Sequence, residues 1–168
     1  MTEIAKQHLN EPAYVKDCLD KVSLAGNHLL TLINDILDIS KIESGRMTLD
    51  PVPFSLRESV DEMVAIVRQT AAENQLDFTV QIHDVTQDII VADPLRLRQI
   101  LLNLLANAAK YTEPGGHVRF DVSEKAVPGC TDRTRLQFII TDDGIGMSEK
   151  FQKTMYTSFS RATDSRIN

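Results

Sequence analysis

Three polar side chains recur at helical spacing in the middle of the chain: Asn103, Asn107 and Lys110. At about 100° per residue, positions i, i+4 and i+7 fall within roughly 60° of one another, so the three side chains share one stripe of a helix. Amide oxygens suit Mg²⁺, and a lysine suits phosphate. The stripe fits a Mg²⁺–phosphate site, and it fits the polar edge of a purely structural helix equally well.

A second group of residues has the spacing Asp-x-Gly-x-Gly, at Asp142, Gly144 and Gly146. An acidic residue at a strand end can accept a hydrogen bond from an exocyclic amine such as that of adenine. Glycines let the backbone approach a ligand, and their N–H groups can face phosphate. A tight turn explains the same residues without any ligand. The chain contains neither a Walker loop nor the dinucleotide motif G-x-G-x-x-G.

The other reactive residue types form no catalytic or metal-binding pattern. His8 and His28 are interpreted as structural, and His117, at a predicted strand start, has no partner visible in the sequence. Cys18 and Cys130 fit no metal or redox spacing and are expected to be free thiols.

The elements that carry the two groups can be read from apolar periodicity. The Asn/Lys stripe lies on a predicted helix over residues 93–112, with Asp93 as its N-cap and Pro94 at its first position. A capping box at Ser55 predicts another helix after it. Alternating apolar residues predict strands, and the Asp-x-Gly-x-Gly group follows the last of them. The predicted strands cover residues 77–83, 88–91, 118–122 and 136–140. After Met147 a helix is expected to about Tyr156.

The N-terminal part is predicted to be one long helix over residues 13–44. Its apolar residues repeat by sevens along three adjacent tracks, which is typical of helices in a left-handed bundle. The tracks are Val15, Val22, Leu29 and Ile36; Cys18, Ala25, Leu32 and Ile39; and Leu19, Gly26 and Ile33. One short and one long helix cannot bury so wide a stripe, so we expect a homodimer in which this helix contributes to a four-helix bundle.

These elements predict an α+β fold in which a bundle-forming helix precedes a sandwich of a mixed sheet with helices on one face. Residues 1–45 form the helical part, residues 46–53 a linker with Pro51 and Pro53, and residues 54–168 the sandwich.

Composition narrows the functional classes. The 168 residues are 42% hydrophobic and 25% charged, as in globular proteins. A formal net charge of −6 disfavours a general nucleic-acid or anionic-membrane binder. No apolar run is long enough to span a membrane, and the first residues lack a signal-peptide layout.

Taken in series, the motifs resemble those of bacterial sensor histidine kinases. Residues 28–47 are similar to the second helix of that family's dimerisation and histidine-phosphotransfer domain. The family's first ATP-binding box matches Asp93-Pro-x-Arg-Leu-Arg-Gln-Ile-Leu-x-Asn103-Leu-Leu-x-Asn107-Ala-x-Lys110-Tyr111-Thr112, and its next box matches Asp142-Asp143-Gly144-Ile145-Gly146-Met147. Residues 151–161 resemble part of the ATP lid. The resemblance implies the Bergerat-type ATPase fold.

The resemblance also implies a role for each matching residue. Asn107 and Asn103 would hold Mg²⁺ at the phosphates of ATP, and Lys110 would contact phosphate. Tyr111 would line the pocket. Asp142 would bind the adenine amine, and Gly144 and Gly146 would let the lid backbone approach the nucleotide. The implied reaction is phosphorylation of a histidine by ATP, followed by transfer to an aspartate of a response-regulator receiver domain. The resemblance further implies that the protein acts in the cytoplasm and that any membrane anchor lies in segments outside this sequence.

The chain departs from the family pattern in several places. The box that carries the phosphoacceptor histidine is absent, as is the second glycine-rich lid box, and Thr157 and Ser158 stand where the family often has Glu and Pro. We therefore expect a fragment lacking both catalytic ends, with no autophosphorylation on His8 or His28 and weak nucleotide binding at best.

Two other functions stay open. One is a non-catalytic dimerising scaffold or nucleotide-sensing module with a degraded ATP site. The other is an ATPase or chaperone of the same fold, which would need a carboxylate base on the asparagine helix. Asn103 occupies the expected place of that base, and an amide cannot take a proton, so hydrolysis is disfavoured.

Overall fold

A computed structural model describes residues 2–8, 11–130 and 133–155. The chain divides into two compact units, Met1–Thr48 and Leu49–Asn168. In the part of the chain that is described, no helix is both long enough and apolar enough to cross a membrane.

The first unit is helical. It consists of α1 (Thr2–Gln7) and α2 (Pro12–Glu43), and Pro12 occupies the first turn of α2, where its missing N–H costs no helical hydrogen bond. Helix α1 packs against α2 and buries Ala5 and Cys18. Much of the remaining apolar surface of α2 is exposed; the exposed residues include Leu19, Val22, Leu29, Leu32, Ile33 and Ile36. The predicted long N-terminal helix is confirmed.

The second unit is a mixed α/β structure. Its elements are β1 (Val52–Ser55), α3 (Leu56–Glu73), β2 (Asp77–His83), β3 (Ile89–Ala92), α4 (Pro94–Tyr111), β4 (His117–Ala126), β5 (Thr134–Asp142) and α5 (Glu149–Gln152). Strands β2, β4 and β5 form one sheet in which β2 runs parallel and β5 antiparallel to the central β4. Strands β1 and β3 form a separate antiparallel ladder. The predicted mixed sheet is confirmed.

Helices α3 and α4 cover one face of the larger sheet. The side chains of β4 alternate, so that Val118, Phe120 and Val122 are buried beneath the helices while their neighbours face outward. Leu56 and Met63 of α3 and Leu105 of α4 complete the core from above. This core fixes which side of α4 faces the sheet and which side faces solvent.

Two local expectations are wrong. The connector predicted over residues 46–53 ends in strand β1, which includes Pro53. A strand with a single partner accepts proline where its missing N–H would point away from that partner. The helix expected from Met147 to about Tyr156 is only α5, followed by a turn. The Thr154 hydroxyl donates to the carbonyls of Lys150 and Phe151 there, competing with helical continuation.

Candidate nucleotide-binding site

Helix α4 is held in place at its N-terminus by Asp93. Its Oδ1 accepts a hydrogen bond from the Arg96 N–H at 3.0 Å, which is the predicted N-cap. Its Oδ2 accepts from the Asp50 N–H at 3.1 Å, so the same carboxylate ties the preceding segment to the helix. These two backbone donors hold the pKa of Asp93 below its ordinary value, because they stabilise the charged form.

The polar stripe predicted on α4 faces outward. Asn103, Asn107 and Lys110 are all exposed, whereas Leu101 and Leu105 on the opposite side are buried. Tyr111 is half-buried, and the Lys110 Nζ lies 5.0 Å from the centroid of its ring. This distance is within the range of a cation–π contact, which holds the lysine near the end of the helix.

Two side-chain hydrogen bonds fix the C-terminal end of α4, which carries the last residues of the polar stripe. The hydroxyl of the buried Thr112 donates to the Ala108 carbonyl at 2.8 Å. The Asn74 amide, from the end of α3, donates to the Ala109 carbonyl at 3.1 Å. Carbonyls that the last helical turn leaves without partners are thereby satisfied, and the position of Asn107 and Lys110 is defined.

The loop after β5 attaches directly to this end of α4. The Ile145 N–H donates to the Tyr111 carbonyl at 3.1 Å. A Cβ atom at Gly144 would lie 2.4 Å from that same carbonyl oxygen, so only glycine allows the contact. Asp142 ends β5, and its Oδ1 accepts from the Gly144 N–H at 3.1 Å. The structure thus brings Asp142, Gly144 and Tyr111 together.

Gly146 and the two asparagines stand apart from this junction. Gly146 has φ of +66° with open space around its Cβ position, so its backbone conformation rather than crowding favours glycine. Asn107 precedes Tyr111 by one helical turn, about 6 Å along the axis, and Asn103 by two turns. The asparagines therefore lie on α4 closer to its N-terminus than the point at which the loop contacts the helix.

His117 and Asp143 form a pair that the sequence interpretation missed. Asp143 Oδ1 accepts from the His117 N–H at 2.7 Å, and its Oδ2 lies 2.8 Å from the His117 Nδ1. The Asp143 carboxylate raises the pKa of His117 through its hydrogen bond and its charge, and the backbone N–H of His117, followed by its ring, lowers the pKa of Asp143. The signal that could have found the pair is the β4–β5 hairpin, whose register places Val118 opposite Asp142 and therefore His117 beside Asp143.

A polar depression of about 450 Å³ opens beside the loop. Its lining residues are Glu113, Pro114, Gly116, Asp143, Gly144 and Ile145. It lies between the turn that follows α4 and the Asp-x-Gly-x-Gly loop. Of the site residues predicted from the sequence, Gly144 lines it, whereas Asn103, Asn107, Lys110, Tyr111, Asp142 and Gly146 do not.

The chemistry of the donor set fits a nucleotide that brings its own metal ion. Within the described residues, no group of three or more His, Cys, Asp or Glu side chains could hold a metal ion by itself. Mg²⁺ commonly keeps several waters and is held by few protein ligands together with substrate phosphates. Two exposed amide oxygens, a nearby ammonium group and a glycine loop are suited to that arrangement.

The remaining candidates from the sequence are accounted for differently. The His8 Nδ1 lies 3.0 Å from Glu11 Oε1, and its ring packs on Tyr14, which agrees with a structural role. Both cysteines are free, Cys18 buried and Cys130 exposed. The His28 side chain, Thr157, Ser158 and most of the expected lid segment lie outside the described part of the chain.

Comparisons with known proteins show sequence similarity to histidine kinases. Residues 92–168 match the family model described as histidine kinase-, DNA gyrase B-, and HSP90-like ATPase. The signal transduction histidine-protein kinase BarA of Escherichia coli strain K12 is 35% identical over 147 residues, which is 88% of this chain and 16% of BarA. The sensor histidine kinase GacS of Pseudomonas protegens is 37% identical over 149 residues, which is 89% of this chain and 16% of GacS.

A solved structure extends the likeness to the fold. The histidine kinase ThkA, crystallised in complex with the response regulator protein TrrA, superimposes with a TM-score of 0.64 at 18% identity, covering 95% of this chain and 44% of ThkA. The chain spans less than a fifth of the length of BarA and GacS. Residues 92–168 thus carry a domain of the type described as histidine kinase-, DNA gyrase B- and HSP90-like ATPase, and most of the chain is similar to part of sensor histidine kinases.

Proposed function

We propose that this chain is the core of a two-component sensor histidine kinase, in which ATP–Mg²⁺ binds between helix α4 and the loop 142–146. The observation that carries the proposal is the junction at Tyr111, where the Ile145 N–H and Gly144 bring the second motif against the helix that bears the first. The depression beside this junction has the volume of a small-molecule site, and it is lined by Gly144 and Ile145 of the second motif and by Glu113, Pro114 and Gly116, which follow the first motif.

Each site residue has a role in this proposal. Asn107 and Asn103 hold Mg²⁺ through their amide oxygens, and Lys110 contacts phosphate. Tyr111 lines the pocket and Asp142 accepts from the adenine amine, while Gly144 and Gly146 shape the loop backbone. ATP supplies the phosphoryl group, and the protein contributes positioning and charge neutralisation, which dominate this class of reaction.

The partners and the domain layout follow from the same proposal. Residues 1–45 dimerise through the exposed apolar stripe of α2, the segment from residue 46 to the start of β1 links the units, and the mixed α/β unit binds ATP. The phosphoryl group passes from a histidine outside this sequence to the aspartate of a response-regulator receiver domain. The reaction takes place in the cytoplasm, where ATP and Mg²⁺ are available.

Transfer of radioactive phosphate from γ-labelled ATP–Mg²⁺ tests the proposal. The chain is incubated alone and together with a separate dimeric helix pair from a related kinase that contains the acceptor histidine. We expect label on the added helix pair and none on His8 or His28. The Asn107→Ala variant should transfer at least about tenfold more slowly, because it lacks the metal-binding amide.

The opposite results are equally informative. Label on His8 or His28 would show that this chain supplies its own acceptor. ATP binding without any transfer to the added helices would favour a dimerising scaffold with a degraded site instead of a kinase.

A further inference from the structure

We infer that His117 is a positioning residue for the nucleotide loop, because its backbone and ring together fix Asp143 and thereby the adjacent Asp142 and Gly144. The inference rests on the proposed ATP site and adds a regulation of that site: nucleotide affinity depends on the protonation of a histidine that does not touch the nucleotide.

Three hydrogen-bonding contacts join the two residues. The His117 N–H donates to Asp143 Oδ1 at 2.7 Å, the Asp143 N–H donates to the His117 carbonyl at 3.3 Å, and the His117 Nδ1 lies 2.8 Å from Asp143 Oδ2. They continue the β4–β5 ladder one step beyond the pair Val118–Asp142. Because the carboxylate can only accept, the ring contact requires a proton on Nδ1.

The residue before His117 leaves room for this arrangement. A Cβ atom at Gly116 would lie 2.7 Å from Asp143 Oδ1 and 2.5 Å from the Thr112 Cγ2. Glycine at this position therefore allows the Asp143 side chain to cross the start of β4, while Thr112 stays bound to the last turn of α4.

The loop consequently has two attachments, one on each side of Gly144. On one side Asp143 binds His117 of β4, and on the other Ile145 binds the Tyr111 carbonyl of α4. Gly144, whose N–H donates to Asp142 Oδ1, lies in the short span between them. Loss of the first attachment leaves Gly144, and the Asp142 carboxylate bonded to it, held by the ladder pair Val118–Asp142 and by the second attachment.

The charges around His117 give the sign of the pH dependence. Asp143 raises the pKa of His117 most, desolvation opposes it, and Asp77 of β2, across the parallel ladder, raises the pKa by a smaller amount. Glu113 lines the same depression as Asp143. Because the folded pKa lies above the ordinary 6.5, the charge-assisted ring contact is fully present below about pH 6.5 and weakens as pH rises through the folded value, whereas the two contacts made by the His117 backbone do not titrate.

Calorimetric binding of a non-hydrolysable ATP analogue with Mg²⁺ between pH 6 and 8.5 tests the inference. His117→Ala should weaken binding about three- to tenfold at pH 6.5, where the wild-type attachment is complete. His117→Asn keeps a hydrogen-bond donor near the place of Nδ1 and should bind like wild type at pH 6.5 or slightly more weakly. The affinity of His117→Asn should then change with pH only because the nucleotide itself titrates. Between pH 6.5 and pH 8.5 the affinity of the wild type should therefore fall about threefold more than that of this variant.

His83→Ala is the matched control, since His83 is also an exposed histidine next to a carboxylate, Asp121, on the outer part of the same sheet. It should leave both the affinity and its pH profile unchanged. If wild type binds and His117→Ala binds equally well, or if the wild-type and His117→Asn profiles coincide, the inference is wrong while the ATP site stands. If wild type binds no nucleotide at any pH, the proposed function fails and the inference with it.

Discussion

Gly144 has a structural role in addition to the one that the motif implies. The sequence suggested that it lets backbone approach a nucleotide, and the structure shows that it lets the loop reach the Tyr111 carbonyl. Any side chain there would meet backbone atoms, which cannot move aside as the end of a flexible side chain can. The glycine therefore determines whether the two halves of the candidate site meet.

Gly144→Ala should separate the loop from α4 and weaken ATP–Mg²⁺ binding about tenfold or more, because the added methyl group would overlap the Tyr111 carbonyl. Thermal unfolding should change little, since the core beneath α3 and α4 is untouched. Calorimetry on the wild type and the variant measures the difference.

Gly26→Ala is the control for this substitution. Gly26 lies in α2 with nothing within 4 Å of its Cβ position, so alanine should leave binding unchanged and stabilise the helix by about 0.5–1 kcal/mol. Wild-type affinity in Gly144→Ala would contradict the steric role of Gly144.

Individual contacts were harder to predict than the residues themselves. The spacing of Asn103, Asn107 and Lys110 was enough to place them on one exposed stripe. The partner of His117 was not visible, because it depends on the register of a hairpin with strands of 10 and 9 residues. Side chains brought together by tertiary pairing leave no local pattern in the sequence.

At the level of elements, a single carboxylate connects the segment after β2 to the larger sheet. Glu124 Oε2 accepts from the N–H groups of Thr86 and Gln87 at 2.6 and 3.2 Å, and Oε1 accepts from the Thr134 hydroxyl at 2.8 Å. These donors lower the pKa of Glu124 to about 2. The segment that leads into β3 and α4 is thus held by a charge on β4.

Acid should therefore weaken this connection. Because the folded pKa of about 2 lies below the ordinary value of 4.5, the contribution of Glu124 is present above pH 4.5 and is lost as pH falls toward 2. Urea unfolding midpoints measured from pH 7 to pH 2.5 should fall more steeply for wild type than for Glu124→Gln. Parallel curves for the two proteins would contradict the assignment.

Element boundaries followed local signals where such signals were strong. The caps at Asp93 and Ser55 fixed the starts of α4 and α3, and strand β2 has the predicted limits, residues 77–83. Strand β1 was missed because Pro51 before it and Pro53 within it suggested a connector, and its structure depends on pairing with β3. Helix α5 was overestimated because serine and threonine side chains bind its backbone.

On the scale of the whole molecule, α2 exposes an apolar surface that has no function in a single chain. Leu29 is 58% exposed and Ile36 is 50% exposed, although both belong to the seven-residue repeat. Leaving such residues in water is unfavourable, at roughly 25 cal/mol for each Å² of apolar surface. A second copy of the helix would cover them.

The double substitution Leu29→Glu and Ile36→Glu should abolish dimerisation, because two charges would face the bundle interior. Light scattering after gel filtration should give twice the chain mass of 18.8 kDa for wild type and the single mass for the variant. Lys16→Glu, at an exposed polar position of the same helix, is the control and should remain dimeric. A wild type that is monomeric at high concentration would contradict the bundle.

The mixed sheet, the helices on one face and the long N-terminal helix could all be predicted from periodicity and capping. The family resemblance indicated a nucleotide site for the two motifs. Taken separately, the Asn/Lys stripe also fitted the polar edge of a helix, and the Asp-x-Gly-x-Gly group also fitted a tight turn. Neither the sequence patterns nor the resemblance could predict how the two motifs meet, because that depends on a backbone contact between Ile145 and Tyr111.

The most direct test of the central claim, that ATP–Mg²⁺ binds where α4 meets the loop after β5, is calorimetric titration of the wild type, Asn107→Ala, Asp142→Asn and the control Gln81→Ala. Gln81 is an exposed amide on β2. We expect one ATP–Mg²⁺ per chain, a loss of about tenfold or more in affinity for Asn107→Ala and Asp142→Asn, and no change for Gln81→Ala. Equal affinity in all four proteins, or no binding by the wild type, would contradict the account.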